Sequence, residues 1–222
     1  MSRMMTVLVA AALTVTPASA FTVPPRTPPG LAAAIDRETM GDGEQAAAVD
    51  ASYRPDPAVR RKLADIMSEG AAKTGANEAQ EMRQIVLSGE AVRQYEKVAP
   101  VLGYRANDAI DGLAFYLLAQ WGVANDYRPD ISRAQAAGVR RQAANAFASV
   151  ADQVGTDAMR QEFGEMLMIQ GAIMAGTHEA ALRAGDEATL ARYADMAREG
   201  GKALFTVDPT TLILTDEGFR RK

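Results

Sequence analysis

NDAIDGLAFYLLAQW, residues 107–121, is the most apolar run that follows the first twenty residues, and it carries its own start signal. Asn107 is a suitable N-cap, because its side chain accepts from the free N–H groups of a first helical turn. Asp108 and Asp111 follow where negative charge meets the positive end of the helix dipole. Ile110, Leu113, Ala114, Leu117 and Trp121 recur at helical spacing, and Phe115, Tyr116 and Leu118 fill the flanks. A helix apolar nearly all round is a buried one. The run falls short of the roughly 20 apolar residues that span a bilayer. It therefore reads as the central helix of a helical domain, ended by Gly122, Asn125 and Asp126.

Helical stripes lie on both sides of it. Asp56-Pro57 gives a cap with proline at the first helical position, and Val59, Leu63, Ile66 and Met67 form the face behind it. Asn77 with Gln80 has the spacing of a capping box, ahead of Met82, Ile85 and Val86. Ser88-Gly89 breaks that helix. Val92, Tyr95 and Ala99 make a third stripe, closed by Pro100 and Gly103. Downstream, 131–154 carries Val139, Ala143, Phe147 and Val150. Thr156 caps the longest helix, to about Ala184, with Met159, Phe163, Met166, Leu167, Ile173 and Met174 inward. Asp186 caps the last helix, which Gly200-Gly201 bends or ends. Leu212-Ile213-Leu214 then reads as one extended segment docked on the bundle.

Composition places the compartment. Arg3, the apolar stretch Met4 to Val15 and Ala18-Ser19-Ala20 match a secretory signal peptide over residues 1–20, with a mature start at Phe21. Residues 21–52 are rich in Pro, Gly and Ala and read as a flexible leader, with the pattern of a helical turn or two over Leu31 to Thr39. The expected localisation is exported, periplasmic or secreted. With no cysteine, thiol catalysis, disulfides and cysteine-based metal sites are excluded. A net charge of −4 offers no basic surface to nucleic acid. No second segment has the length of a membrane span.

The chemistry-bearing residues form no familiar set. His178 is the only histidine, so a di-metal bundle, which needs a Glu-x-x-His pair on each of two helices, is excluded. His178 reads as a surface or helix-end residue. No phosphate loop and no G-x-S-x-G is present. Glu162 and Glu165 share a helix face. They read as an ordinary charged helix face; the alternatives are a pairing with Arg140 or Arg141, or an acid pair with Asp111 for hydrolysis. Gln170 sits among apolar positions and must point inward, where a buried amide needs partners. The methionines at 159, 166, 168 and 174 read as core packing rather than soft-metal ligands.

Several segments together resemble a known group. They are Tyr53-Arg54-Pro55-Asp56-Pro57-Ala58-Val59, Gly103-Tyr104-Arg105-Ala106-Asn107-Asp108, Leu113-Ala114-Phe115-Tyr116 with Trp121, Arg160-Gln161-Glu162 with Glu165, and Asp208-Pro209 followed by Leu212, Leu214-Thr215 and Gly218-Phe219. The chain from Tyr53 to Phe219 resembles an uncharacterised family of exported bacterial proteins, a domain of unknown function. The resemblance implies an all-helical exported domain and carries no activity, ligand or catalytic residue with it.

The sequence thus predicts an all-α protein: one bundle of about six or seven helices over residues 53–219, behind a signal and a leader and before a basic tail at 220–222. No cofactor and no metal is expected. Two functions compete. One is a non-enzymatic interaction or scaffolding module of the cell envelope with an envelope protein as partner. The other is a small-molecule binder or hydrolase whose pocket gathers Asn107, Asp108, Asp111, Arg141, Glu162, Glu165 and Gln170.

Overall fold

The computed structural model describes residues 30–41, 49–73 and 75–222. The signal-like segment 1–20 and residues 21–29 and 42–48 of the predicted leader lie outside the described residues. Eight helices and one β-hairpin follow in order. The helices are α1 (Leu31–Met40), α2 (Pro57–Ala71), α3 (Ala76–Ser88), α4 (Glu90–Leu102), α5 (Ala109–Ala124), α6 (Arg133–Ala148), α7 (Asp157–Ala184) and α8 (Glu187–Phe205). The strands are β1 (Leu212–Thr215) and β2 (Gly218–Arg221).

The predicted central helix is α5, and only Ala119 and Ala124 along it escape full burial. Its closest neighbour is α7, and α6 and α8 pack on its flanks. The α5–α7 crossing is tight because glycines meet there. A Cβ on Gly112 would stand 2.8 Å from the Gly164 carbonyl oxygen, and one on Gly164 would stand 2.9 Å from the Ala109 Cα. Gly171 passes the Phe115 ring in the same way, at 3.0 Å. α2 and α3 form a helical hairpin that docks on α7 through α2, and α4 lies on α7 beside it.

Several boundaries differ from the sequence reading. Residues 31–40, read as part of a flexible leader with a helical turn or two over Leu31 to Thr39, form the ten-residue helix α1. Leu31, Ala34, Ile35 and Thr39 are buried against a face made by α6, α8 and β2. The apolar stripe of α1 is too short to stand alone, but here it completes a groove, and Gln142 and Asn145 of α6 both bond Glu38. α3 starts behind Gly75 with no side-chain cap, so Asn77 and Gln80 make no capping box. The capping box is instead at Ser132 and Gln135 and opens α6, which stops at Ala148 before a 3-10 turn over Ala151–Val154. Met159 is exposed on the first turn of α7 rather than in the core. α8 runs on through Gly200-Gly201, and the bare Gly201 backbone lets Pro209 pack against the helix.

The C-terminal end is a hairpin, not one extended segment, and Arg220 and Arg221 belong to β2 rather than to a free tail. Leu214 faces Phe219 across the antiparallel pair. A lone hairpin is marginal in water, and this one is held on three sides. Its turn sits on Gly138 of α6, where a Cβ would come within 2.3 Å of the Gly218 nitrogen. The Gln142 side chain acts as a third strand: its amide donates to the Phe219 carbonyl at 2.9 Å, and its oxygen accepts from the Phe219 N–H at 2.8 Å. Trp121 of α5 donates to the Leu212 carbonyl at 3.2 Å, and the rings of Trp121 and Phe205 pack on Phe219.

The glycine crossing gives a test with an internal control. Alanine normally stabilises a helix interior over glycine by up to about 1 kcal/mol. Gly176→Ala, with nothing within 4 Å of the new Cβ, should follow that rule. Gly164→Ala should reverse the sign and cost about 1–3 kcal/mol, because the added carbon forces α5 from α7. Urea unfolding midpoints of the two variants measure both effects; equal gains would sink the close-crossing account.

Candidate functional site

The predicted site begins where the chain leaves α4 and enters α5. Gly103 ends α4 in the left-handed region at φ 79°, and Asn107 follows at φ 56°. That turn places Asp108, not Asn107, as the N-cap. The Asp108 Oδ1 accepts from the Asp111 N–H at 3.0 Å. Asn107 contributes its backbone carbonyl, which accepts from the Tyr53 N–H at 3.0 Å. Ala109 N–H donates to the Ala51 carbonyl at 2.9 Å. Residues 51–53 therefore lie along the entry to α5 like a short strand, and Arg160 of α7 fastens them by donating to the Ser52 carbonyl at 2.7 Å.

Asp111 is fully buried beneath this turn. Its Oδ2 accepts from the Arg105 backbone N–H at 2.9 Å and from Arg105 Nε at 3.1 Å, and its Oδ1 takes the Nε–H of Arg140 on α6. Arg105 also reaches Asp108 Oδ2 at 2.5 Å. Two arginines thus serve two buried carboxylates, as burial of charge requires. Burial and then the neighbouring charge of Asp111 push the Asp108 carboxyl up from its ordinary range.

The second carboxylate group lies on α7. The sequence reading made Glu162 and Glu165 an ordinary charged helix face, with Arg140 or Arg141 as alternative partners. Both are buried, and their partners come from α2. Glu165 takes a two-pronged contact from Arg60, at 2.8 and 3.1 Å, and a bond from Gln161 at 3.0 Å. Glu162 accepts from Lys62 at 2.5 Å. Gln161 binds both backbone groups of Asp56, accepting at 2.8 Å and donating at 3.1 Å, so it fixes the start of α2. Buried Tyr53 is influenced by both carboxylate groups: burial, then the charge of Glu165, push its phenol up, and Asp108 adds to this.

The predicted residues therefore do not form one set. Asp108 and Asp111 make one cluster with α6, and Glu162 and Glu165 make another with α2. Arg141 is on neither; it donates to the Asp216 carbonyl at 3.3 Å and steadies the hairpin turn. Gln170 is buried, as its position among apolar residues required. His178 is a clear departure. It is 1% exposed rather than a surface residue, because the loop after α5 folds over that turn of α7. The sequence reading missed Arg60, Lys62, Arg105, Gln161 and Gln142, since nothing local marks a surface-type side chain as the partner of a distant acid or strand.

A family model described as a family of unknown function, DUF6683, matches residues 30–222. The chain belongs to that family. The comparisons with curated proteins and with solved structures found no match. The match begins at the residue before α1, so the DUF6683 domain includes α1 together with the hairpin that α1 covers. Among the described residues no group of three or more His, Cys, Asp or Glu side chains is placed to hold a metal ion, and no helix is long and apolar enough to cross a membrane.

The two carboxylate clusters of the DUF6683 domain are chemically occupied. Both oxygens of Asp111 and both of Glu165 already accept from guanidinium groups. Each of these carboxylates uses three of its roughly four acceptor sites. The two clusters draw their cations from different elements: Arg105 and Arg140 for Asp111, Arg60 for Glu165. Their contribution to stability can be measured. Asp111→Asn would cost a few tenths to about 1 kcal/mol if Asp111 served only the helix dipole. As the buried anchor of Arg105 and Arg140, its loss should cost about 3 kcal/mol. The urea midpoint of that variant separates the two.

Proposed function

We propose that the domain is a non-enzymatic interaction module of the cell envelope, carried there by residues 1–20, with an envelope protein as its partner. The observation that supports this reading is the closure of the carboxylate clusters: the side chains best suited to acid–base work are held by Arg60, Arg105 and Arg140. Among the described residues the exposed large apolar side chains are Met40, Leu87, Val101, Met159 and Ile213, one on each of five elements.

Two measurements bear on this. Mass spectrometry of the protein from the envelope fraction should find a chain that starts at Phe21; a chain that still starts at Met1 in the cytoplasm would refute export. A thermal-shift panel of divalent metals, sugars, peptidoglycan fragments, amino acids and lipids should leave the midpoint unmoved. A ligand at 100 times its dissociation constant adds about 2.7 kcal/mol, which raises the midpoint by several degrees. One such shift would replace this reading with that of a small-molecule binder.

A further inference from the structure

α1, α3, α4 and α7 stop at Gly41, Gly89, Gly103 and Gly185, each in the left-handed region, and each glycine N–H bonds back to the last turn of its helix. Glycine suits that position because it has no Cβ to clash. α8 stops at Thr206, which is left-handed too, at φ 57° and ψ 6°. A β-branched residue is strained there. Among the described residues the Thr206 N–H makes no bond back to α8. Its hydroxyl donates only to the carbonyl of its neighbour Phe205, at 2.7 Å. Thr206 is also exposed, so no packing of its own side chain holds it in place.

What holds the turn is the chain beyond it. Pro209 comes back onto α8 at the bare Gly201 backbone, and Lys202 stands 3.6 Å from Asp208. Asn125 donates to the Pro209 carbonyl at 3.2 Å, and Trp121 donates to the Leu212 carbonyl at 3.2 Å. Farther on, Gln142 closes the edge of β2 at Phe219, whose ring centre lies 5.8 Å from that of Phe205. Arg221 reaches Asp36 of α1 at 3.4 Å. Every one of these partners precedes Thr206 in the chain. Residues 207–222 are therefore a terminal segment, joined through one strained residue to a receptor built wholly from the residues before it.

We infer that this segment exchanges between two copies of the chain: the hairpin of one protomer docks on Gln142, Trp121 and Phe205 of its partner, and the hairpin of that partner docks in return. Exchange reproduces each docking contact between chains, so the hinge is where the two arrangements differ. There Thr206 leaves the left-handed region for the right-handed one, which adds a residue to α8 and leads the chain away from its own body. A short hinge under strain favours exchange of this kind. A lone hairpin is marginal in water, so the released segment must find a receptor, its own or that of a second copy. Two hinges are relieved in each dimer, against the freedom lost on association, and protein concentration sets the balance.

The full chain, incubated to equilibrium over a range of concentrations, should show by light scattering a dimer whose share rises with concentration. In a dimer of mixed chains, one with isotope-labelled aromatic rings and one without, a filtered NOE should connect Trp121 of one chain to Phe219 of the other, a pair whose ring centres stand 5.7 Å apart. Thr206→Gly removes the clash at the hinge and should raise the dimer dissociation constant at least about tenfold, since two hinges contribute. The same variant, as a monomer, should unfold at a higher urea concentration than the parent chain. Exchange is overturned by a chain that stays monomeric at every concentration, or by a dimer whose Trp121–Phe219 contact lies within one chain. A Thr206→Gly chain that dimerises as well as the parent, or unfolds at lower urea, also overturns it.

Discussion

The contact that the rest of the domain depends on is the backbone-to-backbone approach of α5 and α7 at Gly112 and Gly164. Without side chains there, the two helices lie closer than a leucine-lined pair would, and their neighbours are drawn inside. Those neighbours are Asp111 and Glu165, each with no exposed surface. Close packing is favourable for the apolar residues on both sides, but it strands two carboxylates in a region where an unpaired charge is costly. The fold answers with cations from other elements: Arg105 and Arg140 for Asp111, Arg60 for Glu165. The glycine crossing and the salt-bridged clusters are one arrangement.

That arrangement bears on function. Each arginine reaches its acid from an element distant in sequence or from the turn before α5, so the ion pairs tie α2, α6 and the α4–α5 turn to the central pair of helices. Buried ion pairs contribute little net stability against a well-packed apolar alternative, but breaking one is expensive. They therefore favour one docking geometry over others.

The second region of dependence is the C-terminal hairpin. β2 would present an unpaired edge, and Gln142 fills it with one side-chain amide. The same amide also donates to the Glu38 carbonyl, so α1, α6 and β2 meet at a single side chain. Trp121 closes the opposite edge at Leu212. The central helix thus supports the hairpin through its last turns, and the Asn125–Arg128 loop that follows ties the hairpin entry to α7.

The sequence alone determined the helical class, the central helix and most helix starts, because apolar spacing and capping residues are local signals. Asp56-Pro57, Thr156 and Asp186 open α2, α7 and α8 as read. Local signals mislead where two candidates stand side by side: Asn107 takes the turn and Asp108 the cap. They gave a helical turn or two over Leu31 to Thr39 but not its docking, because the few apolar residues of α1 are buried only in the groove of α6, α8 and β2. The second strand was missed for a similar reason, since Gly-Phe-Arg-Arg has no strand pattern of its own and is held by Gln142. Tertiary structure alone decided that Glu162, Glu165 and His178 are buried and which cations answer the acids. Those facts depend on how close two distant helices come, and glycines 52 residues apart in the chain set that distance.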